Sequence, residues 1–180
     1  MTKAKSPVHR VAFRRRREGR TDYAKRLALV KSGKVRMVVR RSNKNITVQF
    51  VKFDPAGDRT LLTVCGPTLV KNFNWPAKRN VWTAYLTGLY AGKGAAKAGV
   101  KEFVLDVGRY TASKGAVVFA ALKGAVDSGL STTYNEEKVP VAKLKAPPDS
   151  IKAQFEDAIK KIKGPSVPGE PEAQRPEGAR

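Results

Sequence analysis

Three short runs of alternating side chains restrict the fold of this chain more than any other feature of its sequence. Val35, Met37 and Val39 alternate with Arg36 and Arg40; Ile46, Val48 and Phe50 alternate with Thr47 and Gln49; Thr60 to Val64 is a third run. A period of two puts one set of side chains on a buried sheet face and the other set on the opposite face. Ser42-Asn43-Lys44-Asn45 and Asp54-Pro55-Ala56-Gly57-Asp58 separate the runs with turn chemistry. The expectation is a three-stranded antiparallel meander.

Further along, Thr68 to Phe73 suggests a short helix after Pro67, and Lys78 to Ala98 a long one with Trp82, Tyr85 or Leu86, and Leu89 on one side. Gly88, Gly92 and Gly94 interrupt that pattern and are read as packing devices or as points where the backbone comes close to a partner. Glu102 to Val107 has the composition of a buried strand, Gly108 to Lys114 that of a loop, and Gly115 to Asp127 that of a small-residue helix stopped by Ser128-Gly129. A strand separated from the others by a long helix needs a crossover, so Glu102–Val107 is expected parallel to an earlier strand. The fold class is α/β: a mixed sheet with an antiparallel meander plus one parallel strand, and helices packed on it.

The two ends differ from this core. Met1 to Gly19 reads as an extended arm, because Pro7 disfavours a helix and Arg14 to Arg17 repel one another. Thr21 or Asp22 caps a helix starting at Tyr23, whose Tyr23, Leu27 and Val30 form an apolar stripe and which stops at Ser32-Gly33. Past Leu130, Pro140, Pro147 and Pro148 break the chain. Asp149 or Ser150 then caps a last helix with Ile151, Phe155, Ala158, Ile159 and Ile162 on one face. That face needs a partner, either the domain itself or another macromolecule. The residues from Gly164 to Arg180 are rich in Pro, Gly, Glu and Gln and are expected to be disordered in isolation. The division is an arm over 1–20, a core over 21–130, an extension over 131–163 and a tail over 164–180.

Charge is distributed as unevenly as structure. From Met1 to Thr60 there are 18 Lys and Arg against four acids, whereas from Ser131 to Arg180 there are nine against eight. A field this one-sided favours a dense polyanion. The arginine run Arg14, Arg15, Arg16 and Arg17, with Arg10, Arg20, Lys25 and Arg26, supplies planar bidentate donors for phosphate. Phe13 and Tyr23 flank it as candidates to stack on unpaired bases. Arg36, Arg40, Arg41, Asn43 and Lys44 continue the surface into the first hairpin, and Lys114 beside a helix start suits a further anion. The bland alternative for the run is a solvated tail or a localisation address. The charge alone also permits a general nucleic-acid-coating protein.

Other chemistries are weaker. One cysteine, Cys65, and one histidine, His9, make neither an internal disulfide nor a zinc site of ordinary spacing, and point to a reducing, intracellular home. No apolar signal segment and no membrane span is visible. Tyr110-Thr111-Ala112-Ser113-Lys114 has the Tyr-x-x-x-Lys spacing of nicotinamide-dependent reductases, but no glycine-rich dinucleotide loop follows an early strand. Asp54, Asp58, Glu102 and Asp106 would need to converge to make a two-metal nuclease; two are turn residues and two share a strand. Trp75 and Trp82 are expected as packing anchors. No cofactor, metal or small-molecule substrate is expected.

Phe13 to Tyr23 followed by Lys25-Arg26-Leu27, Val38 to Gln49, Ala84-Tyr-Leu-Thr-Gly-Leu89 and Val118 to Leu130 together resemble the family of large-subunit ribosomal proteins that binds 5S ribosomal RNA, in its archaeal and eukaryotic form. The resemblance spans roughly Val11 to Lys145. It implies a ribonuclease H-like layout and no catalysis. It also implies a structural place at the central protuberance of cytoplasmic ribosomes. The implied partners are 5S RNA, large-subunit RNA and neighbouring ribosomal proteins, among them the other 5S-binding protein. The family often carries a histidine near Thr133-Tyr134-Asn135, which this chain lacks.

Overall fold

A computed structural model of the chain describes residues 6–76 and 79–164. The alternating runs form β1 (Val35–Arg41), β2 (Ile46–Lys52) and β3 (Arg59–Cys65), and the later apolar run forms β4 (Phe103–Asp106). The strand order is β3-β2-β1-β4, with β1–β2 and β2–β3 antiparallel and β1–β4 parallel. The meander and the crossover strand are thus as the periodicity and connection length require. Val35 pairs with Phe103 and Val38 with Asp106.

The alternation sorts the two faces. Met37, Val39, Ile46, Val48, Phe50 and Val64 are fully buried on the inner face. Arg36, Val38, Arg40, Thr47, Gln49 and Thr63 take the other phase, and Gln49 donates to Thr63 across the strands at 3.1 Å. A register shift beside Phe50 and Val51 inserts one extra residue into β3, so that Leu61 and Leu62 both reach the core.

Two helices cover the inner face: α4 (Val81–Lys97) and α5 (Val117–Asp127), with α3 (Gly66–Phe73) following β3. Asn80 caps α4 by accepting from Thr83 N at 2.6 Å. The expected start at Lys78 lies outside the described residues. Helices α4 and α5 approach so closely that a Cβ at Gly88, Gly92 or Gly124 would run into the facing helix. Gly88 and Gly92 are packing devices, as one of the two sequence readings has it, and Gly124 does the same from α5.

After α5 the chain makes a single 3-10 turn (Glu136–Lys138) and α6 (Val141–Lys145), neither of which the proline-broken sequence suggests. Asn135 starts the turn by accepting from Glu137 N at 2.9 Å. Trp82 Nε1 donates to Lys143 O at 3.2 Å and ties α6 to α4. Helix α7 (Asp149–Lys163) buries Phe155, Ala158 and Ile162 against the domain. Phe155 meets the rings of Trp75 and Tyr85 at 6.2 and 5.8 Å between centroids. Its apolar face therefore finds its partner within the chain. The side-chain cap expected from Asp149 or Ser150 is not made; Pro148 stands at the cap position and Asp149 lies in the first turn. The tail expected to be disordered lies, past Gly164, outside the described residues.

The arm departs from its expectation. Arg14–Arg17 form one helical turn, α1, rather than an extended segment. Arg17 N donates to Phe13 O at 3.0 Å and Glu18 N to Arg14 O at 2.9 Å. The repulsion that argued against compaction is relieved by Glu18, which pairs with Arg14 and Arg20. Helix α2 (Tyr23–Lys31) begins at Asp22, whose Oδ1 accepts from Ala24 N and Lys25 N at 3.1 Å. Its apolar stripe is not buried: Tyr23 and Leu27 are 41% and 55% exposed.

Candidate nucleic-acid interface

Local chemistry shapes the arm first. Arg20 Nε sits 2.8 Å from Glu18 Oε2, Arg14 Nε 3.8 Å from Glu18 Oε1, and Arg15 Nε donates to Thr21 Oγ1 at 2.9 Å. Gly19 turns the backbone at φ 62°, and a Cβ there would strike the Arg109 guanidinium. Arg10, Arg16 and Arg17 are exposed and Phe13 is 83% exposed. Four consecutive arginines on one turn spread their guanidinium groups around its circumference.

A line of alternating charge then fastens α2 to the outer sheet face. Arg26 Nη2 lies 2.7 Å from Asp58 Oδ2, and Arg36 Nη2 lies 2.6 Å from the same oxygen. Arg36 Nη1 stands 3.6 Å from Asp106 Oδ2, and Arg40 Nη2 3.2 Å from Asp106 Oδ1. Arg40 Nη1 also donates to the carbonyls of Val39 and Asp106. Gly108 N donates to Asp106 Oδ1 at 2.8 Å, and Gly108 itself holds φ 64° with the Arg40 guanidinium packed against it. A side chain there would meet both a left-handed backbone and Arg40.

This line corrects the reading of Arg36 as part of the phosphate-facing surface. The residue is 3% exposed and its cation is compensated by Asp58 and Asp106. Burying an arginine is tolerable only with such partners. The Asp58 contact lies off the hydrogen-bond direction, and Nε of Arg36 has no hydrogen-bond partner among the described residues. Arg40 is half-buried and bound to Asp106, while Arg26 keeps part of its surface open.

The first hairpin forms a second basic patch. Arg41 Cζ stands 4.6 Å from the centroid of the Tyr110 ring, and the Tyr110 hydroxyl donates to Arg41 O at 2.8 Å. Arg79 Nη1 donates to Ser42 O at 3.3 Å. Asn43 and Lys44 are exposed at the tip. Lys114 lies apart, with Nζ 3.1 Å from Glu137 Oε2 on the surface. Tyr110 is therefore a stacking platform whose hydroxyl is already spent, and Lys114 faces a carboxylate. The reductase geometry is not assembled.

The four carboxylates weighed as a metal centre are dispersed in the same way. Asp54 accepts from Ala56 N within its own turn, and Asp58 and Asp106 belong to the arginine line. Glu102 pairs with Lys34 at 2.8 Å, and the hydrogen bond from that ammonium holds its carboxyl below the usual glutamate range. Among the described residues no three His, Cys, Asp or Glu side chains gather around a possible ion. No helix among them is long and apolar enough to cross a membrane.

Between the arm, α2 and the rear of β1 and β4 lies a cleft of about 450 Å³. Arg15, Arg20, Lys25, Arg26, Arg36 and Arg40 all line it, so the fold gathers six of the residues singled out in the sequence. Tyr23 is exposed on α2, whereas Phe13, Arg14, Arg16 and Arg17 stand outside the cleft on the arm. Arg109, which no local pattern marks, completes the lining beside Gly19. Only knowledge that β4 runs next to β1 would have brought it forward. The result is a concave cationic face with apolar walls, flanked by an exposed arginine turn and a basic hairpin tip. Such a surface grips phosphate and accepts splayed bases.

The chain is similar to known ribosomal proteins. A sequence profile described as ribosomal large subunit proteins 60S L5, and 50S L18, matches residues 8–100. A Korarchaeum cryptofilum protein named large ribosomal subunit protein uL18 is 48% identical over 138 residues, 76% of this chain and 70% of that protein. Its namesake from Aeropyrum pernix is 48% identical over 137 residues, 76% of this chain and 64% of its own length. The one from Halobacterium salinarum is 48% identical over 134 residues, 74% of this chain and 73% of its own.

Proposed function

The chain belongs to the family of ribosomal large-subunit proteins 60S L5 and 50S L18, and we propose that within the large subunit of cytoplasmic ribosomes it binds 5S ribosomal RNA and helps fasten it to large-subunit RNA at the central protuberance. The family is one of structural constituents rather than enzymes. The partners are 5S RNA, large-subunit RNA and adjoining ribosomal proteins, including the other 5S-binding one.

The observation that carries this reading is the exposed guanidinium turn Arg14–Arg17, mounted on a domain whose nearby acids are occupied internally. Glu18 and Asp58 each hold an arginine of the same chain, and Asp22 caps α2. Arg15, Arg16 and Arg17 of that turn make no ion pair with these acids, while Arg14, Lys25 and Arg26 share Glu18, Asp22 and Asp58 and keep exposed surface for the RNA. Arg10, Lys25, Arg26, Arg41, Asn43 and Lys44 extend the contact, and Phe13 and Tyr23 offer ring faces to unpaired bases. Arg36 and Arg40 act from behind, holding α2 and the β4 loop in place.

The test is a binding titration of 5S RNA across salt concentrations. Replacing Arg14–Arg17 with alanine should flatten the slope of log K against log salt by about 3 units, at somewhat under one unit per lost phosphate contact. An unchanged slope and affinity would remove the arm from the interface.

A further inference from the structure

The cleft behind the arm has a feature that phosphate-backbone contact alone does not use. Its cationic rim, with Arg20 and Arg109, stands over an apolar wall that includes Leu29 and Val104. Arg36, nine-tenths buried and more, belongs to the lining and keeps an Nε–H with no acceptor among the described residues. A buried donor left unmatched costs free energy, and a ligand acceptor reaching it removes that cost. The volume, about 450 Å³, is within the range of pockets that enclose a small organic ligand.

We propose that this cleft receives one unstacked nucleotide of the bound RNA, its phosphate against the arginine rim and its base against Leu29 and Val104. The proposal rests on the RNA-binding reading and deepens it, turning one part of the surface from a charge contact into a pocket for a single residue of the RNA. Guanidinium groups above an apolar wall suit this ligand, because they bond phosphate in their plane and stack on a base with their faces. A bare anion would use the rim and leave the wall empty.

The experiment has two arms. In the first, the full chain, labelled at arginine Nε and at methyl groups, is titrated with adenosine and uridine 5′-monophosphates and, separately, with inorganic phosphate. The expected result is that the nucleotides shift Arg36 Nε–H and the Leu29 and Val104 methyls and bind at least several-fold more tightly than phosphate. Equal binding of phosphate, or nucleotide shifts confined to exposed arginines, overturns the pocket. In the second arm, Ala28→Trp fills the cleft from an exposed helical position without removing a charge. It should weaken 5S RNA several-fold, flatten the salt slope by no more than about one unit for the single phosphate displaced, and abolish the nucleotide shifts. A normal RNA affinity in Ala28→Trp, with Arg14–Arg17→Ala still defective, refutes the pocket and leaves the arm's role standing. Normal affinity in both variants refutes the arm's role as well.

Discussion

Replacing Gly88 by alanine should separate the two helices that cover the sheet. A Cβ at Gly88 would stand 2.7 Å from Ala121 C and 2.9 Å from its Cα, and nearer still to its carbonyl oxygen. Carbon atoms rest about 3.5 to 4.0 Å apart, so α4 and α5 would have to part by about 1 Å. That cannot be absorbed by one rotamer, because the obstacle is backbone. Overpacking of a tight core costs about 1–3 kcal/mol or more. A clash with backbone belongs at the upper end of that range, about 3 kcal/mol, and alanine recovers about 1 kcal/mol of helix propensity, which leaves a net loss of about 2 kcal/mol. In a chain of this size that corresponds to a fall in Tm of about 4–8 °C. Gly57→Ala is the control, since nothing lies within 4 Å of its Cβ position. It should change stability by less than about 0.5 kcal/mol. Urea unfolding followed by circular dichroism measures both. If Gly88→Ala matches Gly57→Ala, the close helix approach is not part of the native core.

Three other perturbations probe separate layers. Asp106→Asn leaves the buried Arg36 with one fewer compensating charge and should cost about 3 kcal/mol by chemical denaturation; a loss below about 1 kcal/mol would mean that Asp58 alone suffices. Phe155→Ala removes the ring that α7 packs between Trp75 and Tyr85 and should cost about 3 kcal/mol, with Trp75 fluorescence shifting to the red as α7 loosens; an unmoved spectrum would contradict the docking. Glu102, held below the usual glutamate range by Lys34, contributes stability that is present above its unfolded pKa and is lost as pH falls through the lowered folded one. Lys34→Met should return its titration midpoint, read by carboxyl carbon shifts, to the ordinary value of 4.5, and an unaltered midpoint would deny the pair.

Much of the fold was legible because the sheet writes itself into the sequence with a period of two. Met37, Val39, Val48 and Phe50 declared their face before any partner was known, and the turn residues between them fixed the antiparallel pairing. The start of α2 was legible to within one residue, Thr21 or Asp22, and Asp22 makes the cap. What stayed hidden depended on distance along the chain. Arg36 and Arg40 were placed by alternation on the outer face, but nothing local says that Asp106, 66 residues beyond Arg40, comes to meet them. Arg26 and Asp58, 32 residues apart, are the same case. Without those carboxylates in view, every arginine of the first hairpin looks like a phosphate ligand. The turn at Arg14–Arg17 was missed for a related reason. Like charges argue against compaction only until Glu18 is seen to pair with Arg14 and Thr21 to accept from Arg15. Arg109 was overlooked because its role arises from where β4 lies, not from its neighbours in sequence.

The line from Arg26 through Asp58, Arg36 and Asp106 to Arg40 also reverses a simple expectation about tuning affinity. Stripping an acid from a cationic protein ordinarily tightens its hold on a polyanion. Here Asp58 works as a rivet: removing it would raise the nominal charge while setting α2 adrift from the strands beneath, and the grip on RNA would loosen. In this protein some of the negative charge belongs to the grasp.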